Sequence, residues 1–158
     1  MRFLLFLLLL LPGAFVDADE LHLVVNGKAY HFDRSKDWNE KNWGLGFEYD
    51  FEPRGRWIPL LTGSTFLDSN EETSNYLGGG IKNRVWGDMD RGWHTDVGAV
   101  AFFMTRKDRN EGKPFFGALP FLSVGTPNVA LNMTFIPKVT PKASQLVYFQ
   151  VMLRFTRF

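Results

Sequence analysis

The 158-residue sequence contains no cysteine. That absence excludes a disulfide-stapled exported scaffold and any thiolate metal centre. Neither a GxSxG nor an HExxH pattern occurs, so serine-hydrolase elbows and helix-borne zinc sites find no support. The charge surplus is small, a formal +1, without the basic stripe that marks a nucleic-acid partner. After the N-terminus, no apolar run approaches the roughly 20 residues of a membrane helix. Aromatic residues, by contrast, are abundant: 16 Phe, 5 Trp and 4 Tyr make up 16% of the chain.

The N-terminus reads as a secretory signal peptide over residues 1–18. Arg2 precedes an apolar run from Phe3 to Leu11, then Pro12-Gly13, and Val16-Asp17-Ala18 supplies a cleavage site. One domain, residues 19–158, remains.

Eight extended segments follow, approximately 20–32, 42–52, 57–67, 74–86, 93–105, 114–125, 128–138 and 145–158. Turn signals between them alternate between tight (53–56, 87–92, 126–127) and longer, more charged (33–41, 68–73, 106–113, 139–144), as in transmembrane barrels. Period-two alternation is strong. Val147, Phe149, Val151, Leu153 and Phe155 share one face of the last segment, opposite Tyr148, Gln150, Met152 and Arg154. In the second segment Trp43, Leu45, Phe47, Tyr49 and Phe51 oppose Gly44, Gly46, Glu48 and Asp50. Tyr and Trp near strand ends suggest interfacial girdles. A soluble lipocalin-like barrel alternates too, but the terminal Arg157-Phe158 favours an outer-membrane barrel. The expected fold is therefore all-β: an eight-stranded antiparallel transmembrane β-barrel. The segment from Val97 to Met104 is apolar on both faces, and Phe115–Val124 nearly so, which predicts a partly apolar interior.

Three histidines are present: His22, His31 and His94. An up-and-down barrel brings His31 to the longer-loop end, where Asp68-Ser69 closes the third segment. His22 and His94 fall at the opposite end. A His, a hydroxyl and a carboxylate at one mouth are the parts of an acyl-transfer site. A DS pair at a strand end is more often a turn former.

Four stretches carry a family resemblance: "ALPFLSVGTPNVALNMTFIP" (118–137), "VYFQVMLRFTRF" (147–158), "WNEKNWGLGF" (38–47) and "FLDSNEETSNYLGGG" (66–80). On these the chain resembles the lipid A palmitoyltransferase family, PagP, over most of its length. The resemblance implies an outer-membrane enzyme moving a palmitoyl chain from a glycerophospholipid donor to lipid A, as a monomer and without metal or cofactor. It implies that His31, Asp68 and Ser69 are catalytic, and that Gly80, twelve positions beyond Asp68, is the floor of an acyl pocket. Pro120 and Pro137 match prolines that interrupt strand pairing and give lipid lateral access. The chain departs from familiar members in lacking room for an N-terminal amphipathic helix and in a shorter loop from His31 to Trp38. His22 is the alternative base if that loop shifts the alignment. The competing reading is a non-catalytic structural or lipid-binding barrel.

Overall fold

The structure, a computed structural model, describes residues 19–88, 91–138 and 144–158. The predicted signal peptide lies outside them. Eight strands run in sequence: β1 (Glu20–His31), β2 (Lys41–Asp50), β3 (Trp57–Leu67), β4 (Thr73–Gly87), β5 (His94–Thr105), β6 (Phe115–Gly125), β7 (Val129–Ile136) and β8 (Leu146–Arg157). Each pairs antiparallel with its sequence neighbours, and β8 returns to β1, closing the barrel. Closure gives every strand a partner on both sides, a condition for crossing a membrane with strands.

Side-chain size and polarity sort across the sheet as the alternation predicts. Trp43, Leu45, Phe51, Val151, Leu153 and Phe155 face outward and are exposed, whereas Glu48, Asp50, Tyr148, Gln150 and Met152 are buried inside. A barrel with a buried polar interior and an exposed apolar exterior is inside out for water and matched to a bilayer. Exposed aromatics cluster at the strand ends. Tyr30, Phe32 and Trp43 lie toward the longer loops, and Phe51, Trp57, Trp86 and Trp93 toward the short turns.

This placement sets a stability expectation. Val151 lies in mid-β8 between Val25 of β1 and Leu131 of β7, facing outward. Val151→Arg is expected to cost about 2–4 kcal/mol, because the guanidinium must sit near the bilayer midplane. Denaturant unfolding in lipid bilayers measures it. A water-soluble monomer in the absence of detergent would contradict the whole assignment.

The interior divides into two halves. Toward the short turns it is ionic: Lys82 Nζ lies 2.8 Å from Glu48 Oε1 and 2.7 Å from Asp50 Oδ2. Beside this group, Arg84 grips both carboxylate oxygens of Asp96. Toward the longer loops the interior is open and largely apolar. Val100, Phe102 and Met104 of β5 line it together with Leu119 and Phe121 of β6. The doubly apolar fifth segment thus spends one face on the lipid and the other on a cavity.

One seam is incomplete. The β6–β7 ladder runs only from Phe121↔Thr134 to Gly125↔Ala130, while β6 pairs with β5 as far as Met104↔Phe115. Pro120 stands where the β7 pairing stops and Pro137 directly follows β7. Neither ring nitrogen carries the hydrogen a ladder needs.

Candidate active site

The cavity has a volume of about 410 Å³ and spans the outer half of the barrel. Such a volume is in the range of small-molecule pockets. Its walls include Phe66, Tyr76, Phe102, Leu119, Phe121 and Tyr148, and Asn132 and Gln150 also contribute. Phe116, Gly117, Ala118, Thr134, Ile136 and Pro137 belong to the same wall, so the incomplete β6–β7 seam opens sideways into it. One stretch of wall is a hydrogen-bond cluster: Asn26 Oδ1 accepts from the Tyr148 hydroxyl (2.9 Å) and from Gln150 Nε2 (2.8 Å).

Asp68 and Ser69 stand at the mouth and both line the cavity. Asp68 is fully buried. Its Oδ1 accepts the backbone amides of Asn70 (2.8 Å) and Glu72 (3.2 Å), and its Oδ2 accepts the Ser74 hydroxyl (3.0 Å). The carboxylate thereby folds the β3–β4 loop around itself, as Asp does in turns. The turn-forming role is therefore real, and it fixes Ser69 at the cavity edge. Nη2 of Arg106 approaches Asp68 Oδ2 to 3.4 Å from the next loop.

His31 ends β1 at the same rim and is 1% exposed. Its imidazole stacks on Trp38 with centroids 5.0 Å apart and planes within 5°. Its Nδ1 has no hydrogen-bond partner among the described residues and lies 3.9 Å from Glu40 Oε1. That oxygen also accepts from Arg34 Nη1 (2.9 Å) and from the His31 amide (3.3 Å). His31 does not itself line the cavity, whereas Ala29, earlier on the same inward face, does.

The segment after the loop ties the two parts together. The Glu40 carbonyl accepts from the Ala29 amide (3.0 Å), the Asn39 amide donates to Ser69 O (3.1 Å), and Asn39 Nδ2 donates to Asp68 O (3.0 Å). Asn42 Nδ2 donates to Leu67 O (2.8 Å). Trp38, Asn39, Glu40 and Asn42 are thus the supporting residues that reading for catalytic types alone missed. All four lie in the WNEKNWGLGF stretch, so the signal was available. In the preceding loop the hydrogen bonds from Ser35, its amide donating to Asp33 Oδ1 at 2.9 Å among them, lower the pKa of the Asp33 carboxyl.

His22 and His94 take no part in this mouth. Both are buried in the ionic half at the opposite end, His22 within 3.7 Å of Asp50 and His94 within 3.7 Å of Asp96. The alternative of His22 as base is thereby removed: the length of the barrel separates it from Asp68 and Ser69. Glu20, His22 and Asp50 bring one potential ligand atom each within 4.8 Å of one another. Lys82 already holds Asp50, and Arg154 and Arg157 hold Glu20.

Gly80 faces inward, in register with Leu60 on one side and Val100 on the other. It is not part of the cavity wall; Val100 is. A Cβ at position 80 would run into the Ala99 carbonyl oxygen and crowd Val100 Cγ2. The glycine lets the β5 backbone come close, and so sets where Val100 stands. Gly80, expected as the floor of an acyl pocket, thus stands outside the cavity wall and meets it through Val100. Gly79 faces outward, where an added Cβ meets nothing nearer than Leu60 O at 3.5 Å.

An inside-out barrel with an apolar interior well, an incomplete lateral seam, and Asp68, Ser69 and His31 at one rim defines a class: a membrane-spanning barrel with an interior pocket. Residues 18–152 match the family model described as "Antimicrobial peptide resistance and lipid A acylation protein PagP", and the chain belongs to that family. It is an outer-membrane protein. Its relatives include the lipid A acyltransferase PagP of Bordetella pertussis strain Tohama I, 30% identical over 115 residues, covering 71% of this chain and 60% of that protein. The PagP of Laribacter hongkongensis is 31% identical over 116 residues, covering 71% and 53%. The chain thus spans little more than half the length of these curated relatives. Among solved structures it is similar to neisserial surface protein A, with a TM-score of 0.46 and 13% identity over 90% of this chain and all of the other.

Proposed function

We propose that this barrel is a lipid A acyltransferase that moves a palmitoyl chain from a glycerophospholipid to lipid A, acting as a monomer without metal or cofactor. The observation that carries the reading is the apolar well whose mouth is formed by Asp68 and Ser69, with His31 on the same rim. The family's lipid A acylation supports it. The donor reaches the well through the seam between Pro120 and Pro137. Its acyl chain occupies the well and its ester carbonyl rests at Ser69. The lipid A hydroxyl oxygen attacks the carbonyl carbon as His31 takes its proton. The tetrahedral intermediate then collapses, the ester C–O bond to the glycerol breaks, and the leaving oxygen recovers the proton from His31. The Ser69 hydroxyl hydrogen-bonds the developing oxyanion. Asp68 acts as a positioning residue by holding the Ser69 turn. For His31 to reach the acceptor, its ring must turn out from behind Trp38.

A non-catalytic lipid-binding barrel has one observation in its favour, the covered His31. Mass spectrometry of lipid A from cells with and without the gene separates the two. A palmitate-sized mass increase that depends on the gene supports transfer. Its absence under conditions where the protein is folded in the outer membrane supports simple binding.

Chain-length selection gives a second test. Gly80→Met should displace Val100 into the well and so shorten the longest chain accepted, with some loss of stability from the crowded β4–β5 contact. Each methylene that no longer fits forgoes about 0.8 kcal/mol of burial, so the preference should shift sharply. Gly79→Met points its side chain at the lipid and should leave the acyl profile unchanged. An unaltered profile in an active Gly80→Met enzyme would place the ruler elsewhere.

A further inference from the structure

We propose that Arg109 binds the phosphodiester of the incoming lipid donor, at the top of the lateral seam. The inference rests on the glycerophospholipid donor proposed above. Two guanidinium groups, Arg106 and Arg109, reach the mouth of the apolar well from the β5–β6 loop. They are not equivalent. Arg106 is committed: its Nε lies 2.9 Å from Asp108 Oδ1, and its Nη2 lies 3.4 Å from Asp68 Oδ2. The loop lysines are also engaged, Lys107 with Glu72 and Lys113 with Glu111.

Arg109 is half-buried and makes no ion pair among the described residues. Its guanidinium carbon stands 5.1 Å from the centroid of the Phe115 ring. Phe115 is the first residue of β6, on the stretch that has no β7 partner. An aromatic ring beneath a guanidinium orients it while leaving its N–H edges free. Those edges match a phosphate's oxygens two at a time. A lipid lying in the well has its ester at Ser69 and its phosphodiester only a few bonds further out, beyond the apolar wall. An anion leaving water at that point needs a cation that is not already neutralised, and Arg109 is placed to meet it.

The test compares two ligands that share acyl chains and differ in the phosphate. Dipalmitoylphosphatidylcholine and dipalmitoylglycerol are titrated against the detergent-solubilised protein by native mass spectrometry. Arg109→Ala is expected to weaken the phospholipid by roughly tenfold or more, the loss of a charge-assisted hydrogen bond. Dipalmitoylglycerol should change by less than about twofold, and Arg109→Lys should recover part of the phospholipid affinity. Lys113→Ala, a charge removed from the same loop, should change neither. Equal weakening of both lipids by Arg109→Ala would overturn the assignment, showing a role in loop shape. So would no weakening of either. Inorganic phosphate alone should bind far more weakly than the phospholipid; comparable affinity would make this a free-anion site and overturn the donor assignment. Because binding is read without turnover, loss of the acyltransferase reading appears separately, as an unmodified lipid A in the cell assay.

Discussion

Replacing His31 by asparagine is expected to lower acyl transfer by roughly two to four orders of magnitude, the usual worth of a general base. Asparagine is the better choice than alanine here. His31 is fully buried against Trp38, so truncation would leave a hole beneath the indole as well as removing the base. Ser69→Ala should also suppress turnover while leaving the barrel folded, since the Ser69 hydroxyl makes no hydrogen bond to another side chain among the described residues. Asp68→Asn should differ from both. Its two oxygens accept from two amides and a hydroxyl, so activity and loop stability fall together. The measurement is palmitate transfer in detergent or vesicles, with folding followed by heat-dependent mobility on a denaturing gel. Full turnover by a folded His31→Asn protein would move the base elsewhere on the rim.

Lys82→Met should be the most destabilising single change away from the mouth. The ammonium is buried between Glu48 and Asp50, themselves buried. Removing it strands two carboxylates in the barrel interior at a cost of about 3–5 kcal/mol. Neutralising all three groups, with Glu48→Gln and Asp50→Asn added, should recover much of that loss. Buried ion groups contribute little over neutral replacements and a great deal over half-broken ones. Unfolding free energies of the single and triple variants decide it. A Lys82→Met protein as stable as the parent would show the charges to be hydrated or mobile.

The strands were readable because period-two alternation is a local signal, and one that a bilayer exaggerates. All eight segments lie within a few residues of their places, and β8 and β2 face as their patterns indicate. Topology alone then put His31 with Asp68-Ser69 and sent His22 and His94 to the far end. What local pattern does not encode is which inward residue meets which. Glu48, Asp50 and Lys82 come from strands two steps apart around the barrel, so their ionic group depends on how β2 and β4 each register against β3. The same holds for Gly80. Its place on β4 is evident, but its effect on Val100 arises from the approach of β5. The stacking of His31 on Trp38 is likewise a property of the loop's path.

The ionic half of the interior also decides what the barrel is not for. A tube lined by charges across its full length would conduct; this one is filled at the end nearer the short turns by paired groups among the described residues. Lys82, Arg84 and their carboxylate partners are those groups. An outer membrane defends the cell by its impermeability, and a barrel inserted into it threatens that defence. Here one end is filled from within. Whatever enters the well therefore does so from the longer-loop half, by the rim or by the seam, and leaves by the same half.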